Sequence, residues 1–354
     1  MFRASFALSV VASLLLGCGG DPEGSEVVDN WFQDVGVQPL DVVLVVDDSN
    51  SMADAQANLA AAVPTVVSTL AAEGVDYRFG VVTTDLTDPE RRGRIVGPYV
   101  ESTTANAAGV LAAQVQVGVD GAQLERGLGA GWAAVTPPLS DFENGGLRRD
   151  GARLAVVVLS DEDDCSDDGS ERIDDPADCV SLPGELVSVE EYAGRFRALV
   201  DEPHEVALHA LVETGVTAEF EGCGGLNVGT RYVQVSGLLG GLVLPHCTEA
   251  TALGTELGLQ LAGRRTRFPL SRQPDPQSIT VVVAQDAAVG DDDDSAGGDA
   301  PGDEPLDGAA IPEDPTRAFG WTWDDASNTV RLWGEAVPPL GAAVQIRYLV
   351  ATDG

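Results

Sequence analysis

"DVVLVVDDSNSM", residues 41 to 52, sets five β-favouring apolar residues, Val42 to Val46, directly before Asp47, Asp48, Ser49, Asn50 and Ser51. An unbroken apolar run of this length reads as a strand buried on both faces, in a sheet covered by helices on each side. Its abrupt end in oxygen donors points to a ligand. Hard divalent cations take several carboxylate and hydroxyl oxygens at once, and alternate residues of a tight loop aim such oxygens at one point. Asp47, Ser49 and Ser51, spaced as D-x-S-x-S, are therefore candidate ligands.

The same logic extends along the chain. "LAVVVLS", 154 to 160, is a second, almost wholly apolar strand, and Asp161 follows it. Further strands read at 77 to 84 and 205 to 213, with helices expected at about 54 to 72, 104 to 116, 122 to 135, 188 to 200 and 248 to 261. Ser188 stands three residues before Glu191, the spacing of a capping box. This alternation predicts a doubly wound, mostly parallel α/β sheet with helices on both faces over residues 41 to 263. In such sheets ligands collect at the carboxyl ends of the strands, which is where Asp47 and Asp161 fall. Thr83, Thr84 and Asp85 end another strand and read as turn residues, with approach to the rim of the same site as the alternative.

After Gly263 the helical period stops. Residues 264 to 354 read as a small antiparallel β-module, interrupted at 290 to 315 by a glycine-rich acidic insertion expected to be disordered.

Acidic residues number 57 against 20 basic ones, all of them arginine, for a formal charge of -37. Repulsion over the whole surface excludes nucleic acid and anionic lipid as partners. Residues 1 to 18 combine Arg3, a short apolar run and the ending Leu15, Leu16, Gly17, Cys18, the pattern of an export signal. The ending resembles the bacterial lipobox, which implies acylation of Cys18, an acidic tether over 19 to 40, and a lipid anchor at the outer membrane or cell surface. Four cysteines remain. In an exported chain they read as disulfides, and sequence order suggests Cys165 with Cys179 and Cys223 with Cys247, three pairings being formally open.

D-x-S-x-S after the first strand and Asp161 after a later one resemble the von Willebrand factor A domain with its metal-ion-dependent adhesion site. The resemblance covers about residues 41 to 262. It implies a bound Mg, Mn or Ca ion held by Asp47, Ser49, Ser51 and Asp161, with an acidic residue of a protein partner completing the shell. The family's threonine is missing here. The corresponding loop, "VGVDGAQLERGLGA" at 117 to 130, offers Asp120 or a backbone carbonyl in its place. The stretches around "LSDEDDCS" and "GLVLPHC" are similar to secreted, often lipid-anchored members of this family from delta-type proteobacteria.

Asp164, Ser166, Asp168, Gly169 and Asp175 match positions 1, 3, 5, 6 and 12 of an EF-hand loop and form a second cation candidate, although Pro176 follows where a helix should continue. Trp321, Trp323 and Trp333 offer a carbohydrate-binding alternative in the β-module. No enzyme template fits: Ser49 stands where a dehalogenase-type second aspartate is needed, and His204, His209 and His246 form no H-E-x-x-H. The expectation is cation-dependent protein binding or adhesion at the bacterial envelope. The alternative is an envelope lipoprotein whose folded domain is an inert scaffold.

Overall fold

The computed structural model describes residues 24–33, 37–167, 169, 173, 175–202, 205–216, 222–224, 227–284, 305–325 and 328–351. Residues 1 to 18 with Cys18, Asp168, His204, and 290 to 304 of the acidic insertion lie outside them.

The chain divides into two compact units, 36 to 264 and a second made of the first 35 residues with 265 to 354. The second unit begins with β1 (Glu26–Phe32). The first holds β2 (Leu40–Val46), α1 (Ala53–Ala72), β3 (Tyr77–Thr83), β4 (Val100–Glu101), α2 (Ala107–Gln114), α3 (Gly127–Ala134) and β5 (Arg153–Ser160). It continues through α4 (Pro176–Ser181), α5 (Val189–Arg197), β6 (Val206–Val212), α6 (Thr230–Leu238), β7 (Val243–Pro245) and α7 (Ala250–Leu261). The remaining strands are β8 (Arg267–Pro269), β9 (Thr280–Ala284), β10 (Ala309–Ile311), β11 (Gly320–Asp324), β12 (Thr329–Trp333) and β13 (Ala343–Leu349).

This architecture corrects the expected fold class. Among the described residues there are three sheets, and the two with orders β1-β13-β9-β10 and β11-β12-β8 are wholly antiparallel. The third, β4-β3-β2-β5-β6-β7, is mixed: β4 runs against β3, and the other pairings are parallel. A doubly wound parallel sheet with an appended module therefore does not describe the molecule. The reason is long-range pairing. Residues 19 to 40 look like a polar tether by composition, yet "EVVDNWF" alternates and finds its partner at the far end of the chain, Glu26 opposite Leu349. The expected disordered insertion is likewise shortened at its end by β10, which pairs with β9.

In the mixed sheet β2 is buried along its whole length. Val42, Leu44 and Val46 pack under α1, α2 and α7, while Val43 and Val45 pack under α3, α5 and α6. Each such side chain contributes about 1.5–3 kcal/mol relative to remaining exposed. Helix α7 lies close on α1 because Gly254 and Gly258 carry no Cβ; one at Gly254 would stand 2.7 Å from the Ala62 carbonyl oxygen. Ser188 caps α5 by accepting the Glu191 N–H at 3.1 Å, whereas the Glu191 carboxylate turns to Arg195 instead of closing the box.

His209 on β6 is buried, and its Nδ1 accepts the Leu242 N–H at 3.0 Å. Burial, helped by nearby Arg153, pushes its pKa down to about 4 from 6.5. The folded state thus refuses a proton that the unfolded chain accepts, so this group's contribution is present above about pH 6.5 and is lost as pH falls towards 4. Asp48 and Asp163, both raised to about 6 by burial, titrate with the opposite sign, so the comparison must be differential. We expect His209→Gln, which keeps an acceptor for Leu242 but does not titrate, to remove a slope of at most ~1.4 kcal/mol per pH unit in urea unfolding across that window.

Candidate metal centre

The parallel register puts three strand tips level. Val46 lies opposite both Thr83 and Leu159, so Asp47, Thr84 and Ser160 emerge together from the same edge. Asp47 is fully buried and tightly held. Its Oδ1 accepts the Ser49 N–H at 2.8 Å and its Oδ2 accepts the Ser160 hydroxyl at 2.7 Å. Gln56 on α1 donates to the Asp47 carbonyl and to the Gly118 carbonyl, both at 2.8 Å, tying the loop before α3 to the tip of β2.

Of the sequence-derived ligands, Asp47, Ser49 and Ser51 share one turn and Asp161 stands within electrostatic range of Asp47, while among the described residues no three carboxylates at these tips bring their oxygens within 4.8 Å of one another. The Ser49 and Ser51 hydroxyl oxygens stand 3.3 Å apart, and the negative charge of Asp161 acts on Asp47. Asp161 Oδ1 is buried and has no hydrogen-bond partner. Asp120 behaves differently: it is exposed on its loop, and among the described residues no hydrogen bond links it to Asp47. The carboxylate this loop delivers is Glu125. Glu125 is 1% exposed, receives the Thr84 hydroxyl on Oε2, and lies within hydrogen-bonding range of Asp47. Beyond that Asp47 contact, its buried Oε1 has no hydrogen-bond partner.

Sequence reading missed Glu125 because nothing in "AQLERGL" separates a buried glutamate from a solvated one. Thr84, read as a turn residue, holds that glutamate in place. Asp85 does make the turn, accepting the Thr87 N–H and hydroxyl and the Asp88 N–H.

Two carboxyls this close in a dry site cannot both ionise without a positive charge. Burial first, and then the Asp47 charge, push Glu125 up to about 10, and burial raises Asp47 as well. Asp48, next along, is also buried, and Arg91 reaches in to pair with it. Gly121 sits against that carboxylate: a Cβ there would fall 2.2 Å from it, so only glycine fits. His246, beyond β7, faces the charges of Asp161, Glu213 and Asp47 with its Nε2 buried and unpartnered, and burial keeps its pKa below 6.5.

The EF-hand pattern does not assemble. Asp164 is committed to protein donors: the Leu128 N–H at 3.0 Å, the Ser166 hydroxyl at 2.7 Å and the Arg231 guanidinium at 3.2 Å. Asp175 caps α4 by accepting the Ala177 N–H at 2.8 Å. Disulfides join Cys165 to Cys179 and Cys223 to Cys247. Glu213, Cys223 and His246 bring their ligand atoms within 4.8 Å of one another, but the Cys223 sulfur is spent in its disulfide. In the β-module Trp321 and Trp323 share one face of β11, whereas Trp333 lies opposite Gly320 on the other and is covered by Arg331 at 3.8 Å. The three do not form a sugar platform.

No family model matches this chain, and no curated protein matches it. Among solved structures, it is similar to the pilus adhesin SpaC from Lactobacillus rhamnosus GG in its open conformation, at 13% identity and a TM-score of 0.42 over 91% of this chain. It spans 40% of the SpaC chain. It is also similar to proximal thread matrix protein 1 from the mussel byssus, at 14% identity and a TM-score of 0.39, covering 66% of this chain and 50% of that one. The pilus adhesin RrgA from Streptococcus pneumoniae gives 10% identity and a TM-score of 0.32, covering 93% of this chain and 58% of that one. Likenesses this distant carry no argument about function. With no matching family model, the assignment of this chain to von Willebrand factor A domains is withdrawn.

The metal-free protein gives a direct test of the buried pair. Because Glu125 is raised above its unfolded value of 4.5, its contribution is fully present below that pH and is lost as pH rises towards about 10. Glu125→Gln should melt higher than the parent in chelator at mildly alkaline pH, with the gap closing by up to ~1.4 kcal/mol per pH unit on acidification. Parallel melting curves at all pH values would show that Glu125 is not held as described.

Proposed function

We propose that the chain is a cell-envelope binding protein in which a divalent cation organises an adhesive surface at the tips of β2, β3 and β5. Asp47, Glu125 and Asp161 supply carboxylate oxygens, and Ser49 and Ser51 supply hydroxyls, the donor set of hard cations such as Mg, Mn or Ca. The observation that carries this reading is Glu125, a carboxyl 1% exposed, pressed against buried Asp47 with one oxygen left without a partner. Carboxylates are seldom buried unless paired or metal-bound, and among the described hydrogen bonds Glu125 receives only the neutral Thr84 hydroxyl. An ion would neutralise the pair, fix the loops that bear its ligands and leave the exposed rim at Ser51 open to a partner.

The export pattern of residues 1 to 18, with Cys18 as lipid attachment point, supports placement on the outer membrane or cell surface. No enzymatic step is part of this reading.

Calorimetric titration of Mg, Mn and Ca into the chelator-stripped full chain tests the reading. One saturable site is expected, weakened roughly 10- to 100-fold by Ser49→Ala and further by Asp161→Ala. Equal binding in parent and variants would place the ion elsewhere, and no binding in the parent would leave a metal-free scaffold.

A further inference from the structure

We propose that Glu213, Cys223 and His246 form a redox-gated site for a zinc-class divalent ion, closed while the Cys223–Cys247 disulfide is intact and opened when a dithiol reduces it. The site is separate from the strand-tip cluster and does not rest on the cation reading above. Strand register builds it. Val212 lies opposite Pro245 in the parallel pair β6 and β7, so Glu213 and His246 emerge side by side from one sheet edge. The His246 N–H donates to the Val212 carbonyl at 3.1 Å, and Asn58 donates to the His246 and Thr248 carbonyls, fixing the backbone on either side of Cys247. Glu213 is 1% exposed, and its carboxylate accepts the Gly215 N–H at 2.7 Å and the Cys223 N–H at 3.0 Å, which holds the second cysteine against it. Gly222 permits that approach: a Cβ there would stand 2.9 Å from the Gly215 carbonyl oxygen and 3.0 Å from Glu213 Oε1.

A carboxylate oxygen, a sulfur and an imidazole nitrogen thus lie within 4.8 Å of one another. These are zinc's donor types. Around an ion at about 2.0–2.3 Å, tetrahedral donors stand about 3.3–3.8 Å apart, so closure needs movements on the order of 1 Å, and water fills the fourth position. His246 Nε2 is buried there without a hydrogen-bond partner, an arrangement that suits a ligand nitrogen and is costly for a purely structural one. The disulfide keeps the ion out, because the thiolate is the form of cysteine that binds metal. Cys247 is exposed, whereas Cys165 of the other bridge is 4% exposed. A thiolate of the dithiol attacks Cys247 Sγ. The S–S bond breaks and its electron pair leaves on Cys223, whose sulfur already accepts the Cys247 N–H at 3.1 Å. The reagent's second thiolate then displaces Cys247, so two electrons pass to the protein and the dithiol becomes a disulfide. Of the dithiol's two protons, one ends on Cys247 and the other goes to water as the metal takes the Cys223 thiolate.

Cobalt(II) is the probe, because its bond to a thiolate gives a charge-transfer absorption that oxygen and nitrogen ligands lack. The oxidised full chain should show no such band. The band should appear after phosphine reduction, which adds no competing sulfur, and also in Cys247→Ser, which frees the Cys223 thiol without a reductant. Zinc should displace the cobalt and remove it. On the Cys247→Ser background, His246→Gln and Glu213→Gln should each weaken cobalt binding about tenfold or more. Ser49→Ala should leave the band of the reduced chain unchanged, which separates this site from the strand-tip cluster, and reduced Cys223→Ser should lose it. If Glu213→Gln does not fold by thermal melting, His246→Gln, whose side chain is only half-buried, decides. The inference is overturned if the band is absent from both the reduced chain and Cys247→Ser, if it survives Cys223→Ser, or if His246→Gln binds cobalt as tightly as its parent. It is equally overturned if neither the reduced chain nor Cys247→Ser folds, since the bridge is then structural alone.

Discussion

Asp47 and Glu125 are two carboxyls buried against each other at the tips of parallel strands, and the loops around them are arranged to hold them there. In a low dielectric the pair cannot exist doubly charged and unaccompanied, so the protein must supply a proton or an ion. It also cannot relax. Ser49 and Ser160 fill the oxygens of Asp47, Thr84 fills one oxygen of Glu125, and Gln56 ties the loop before α3 to the end of β2. Neighbouring acids are silenced individually, Asp48 by Arg91 and Asp164 by Arg231 with the α3 N-terminus. The buried carboxylate oxygens without a hydrogen-bond donor at this edge are Asp48 Oδ1, Glu125 Oε1 and Asp161 Oδ1.

The two disulfides serve the same edge. Cys165–Cys179 closes the segment that follows Asp161, and Cys223–Cys247 joins the segment after β6 to the residue beside His246. Cross-links over such loops stabilise by about 2–4 kcal/mol, chiefly by restricting the unfolded chain.

Part of this was legible in the sequence. The apolar run Val42 to Val46 has one reading, a strand with no wet face, and the oxygens after it and Asp161 follow from where such strands end. The cysteine order gave the pairs that form. Other features were not legible, for identifiable reasons. Asp120 and Glu125 occupy one loop, and their spacing does not say which turns inward; the register of Thr84 beside Asp47 decides it. The match of Asp164 to Asp175 with an EF-hand is a pattern of residue types, and it dissolves once the Leu128 N–H and Arg231 claim Asp164 and helix α4 claims Asp175. Alternate tryptophans in one strand and a third in the next look like a shared face until pairing puts Trp333 on the other side.

By itself, the sequence determined which segments are buried strands, that a cluster of oxygens follows two of them, and that the chain repels anionic partners, since these depend on composition and short-range periodicity. The tertiary structure decided the antiparallel sheets that join Glu26–Phe32 to Ala343–Leu349, and that Glu125 is buried beside Asp47 while Asp120 is exposed. Those depend on which strand tips lie level and which side chains are shut away from water, and such distances between residues far apart in the chain exist only after folding.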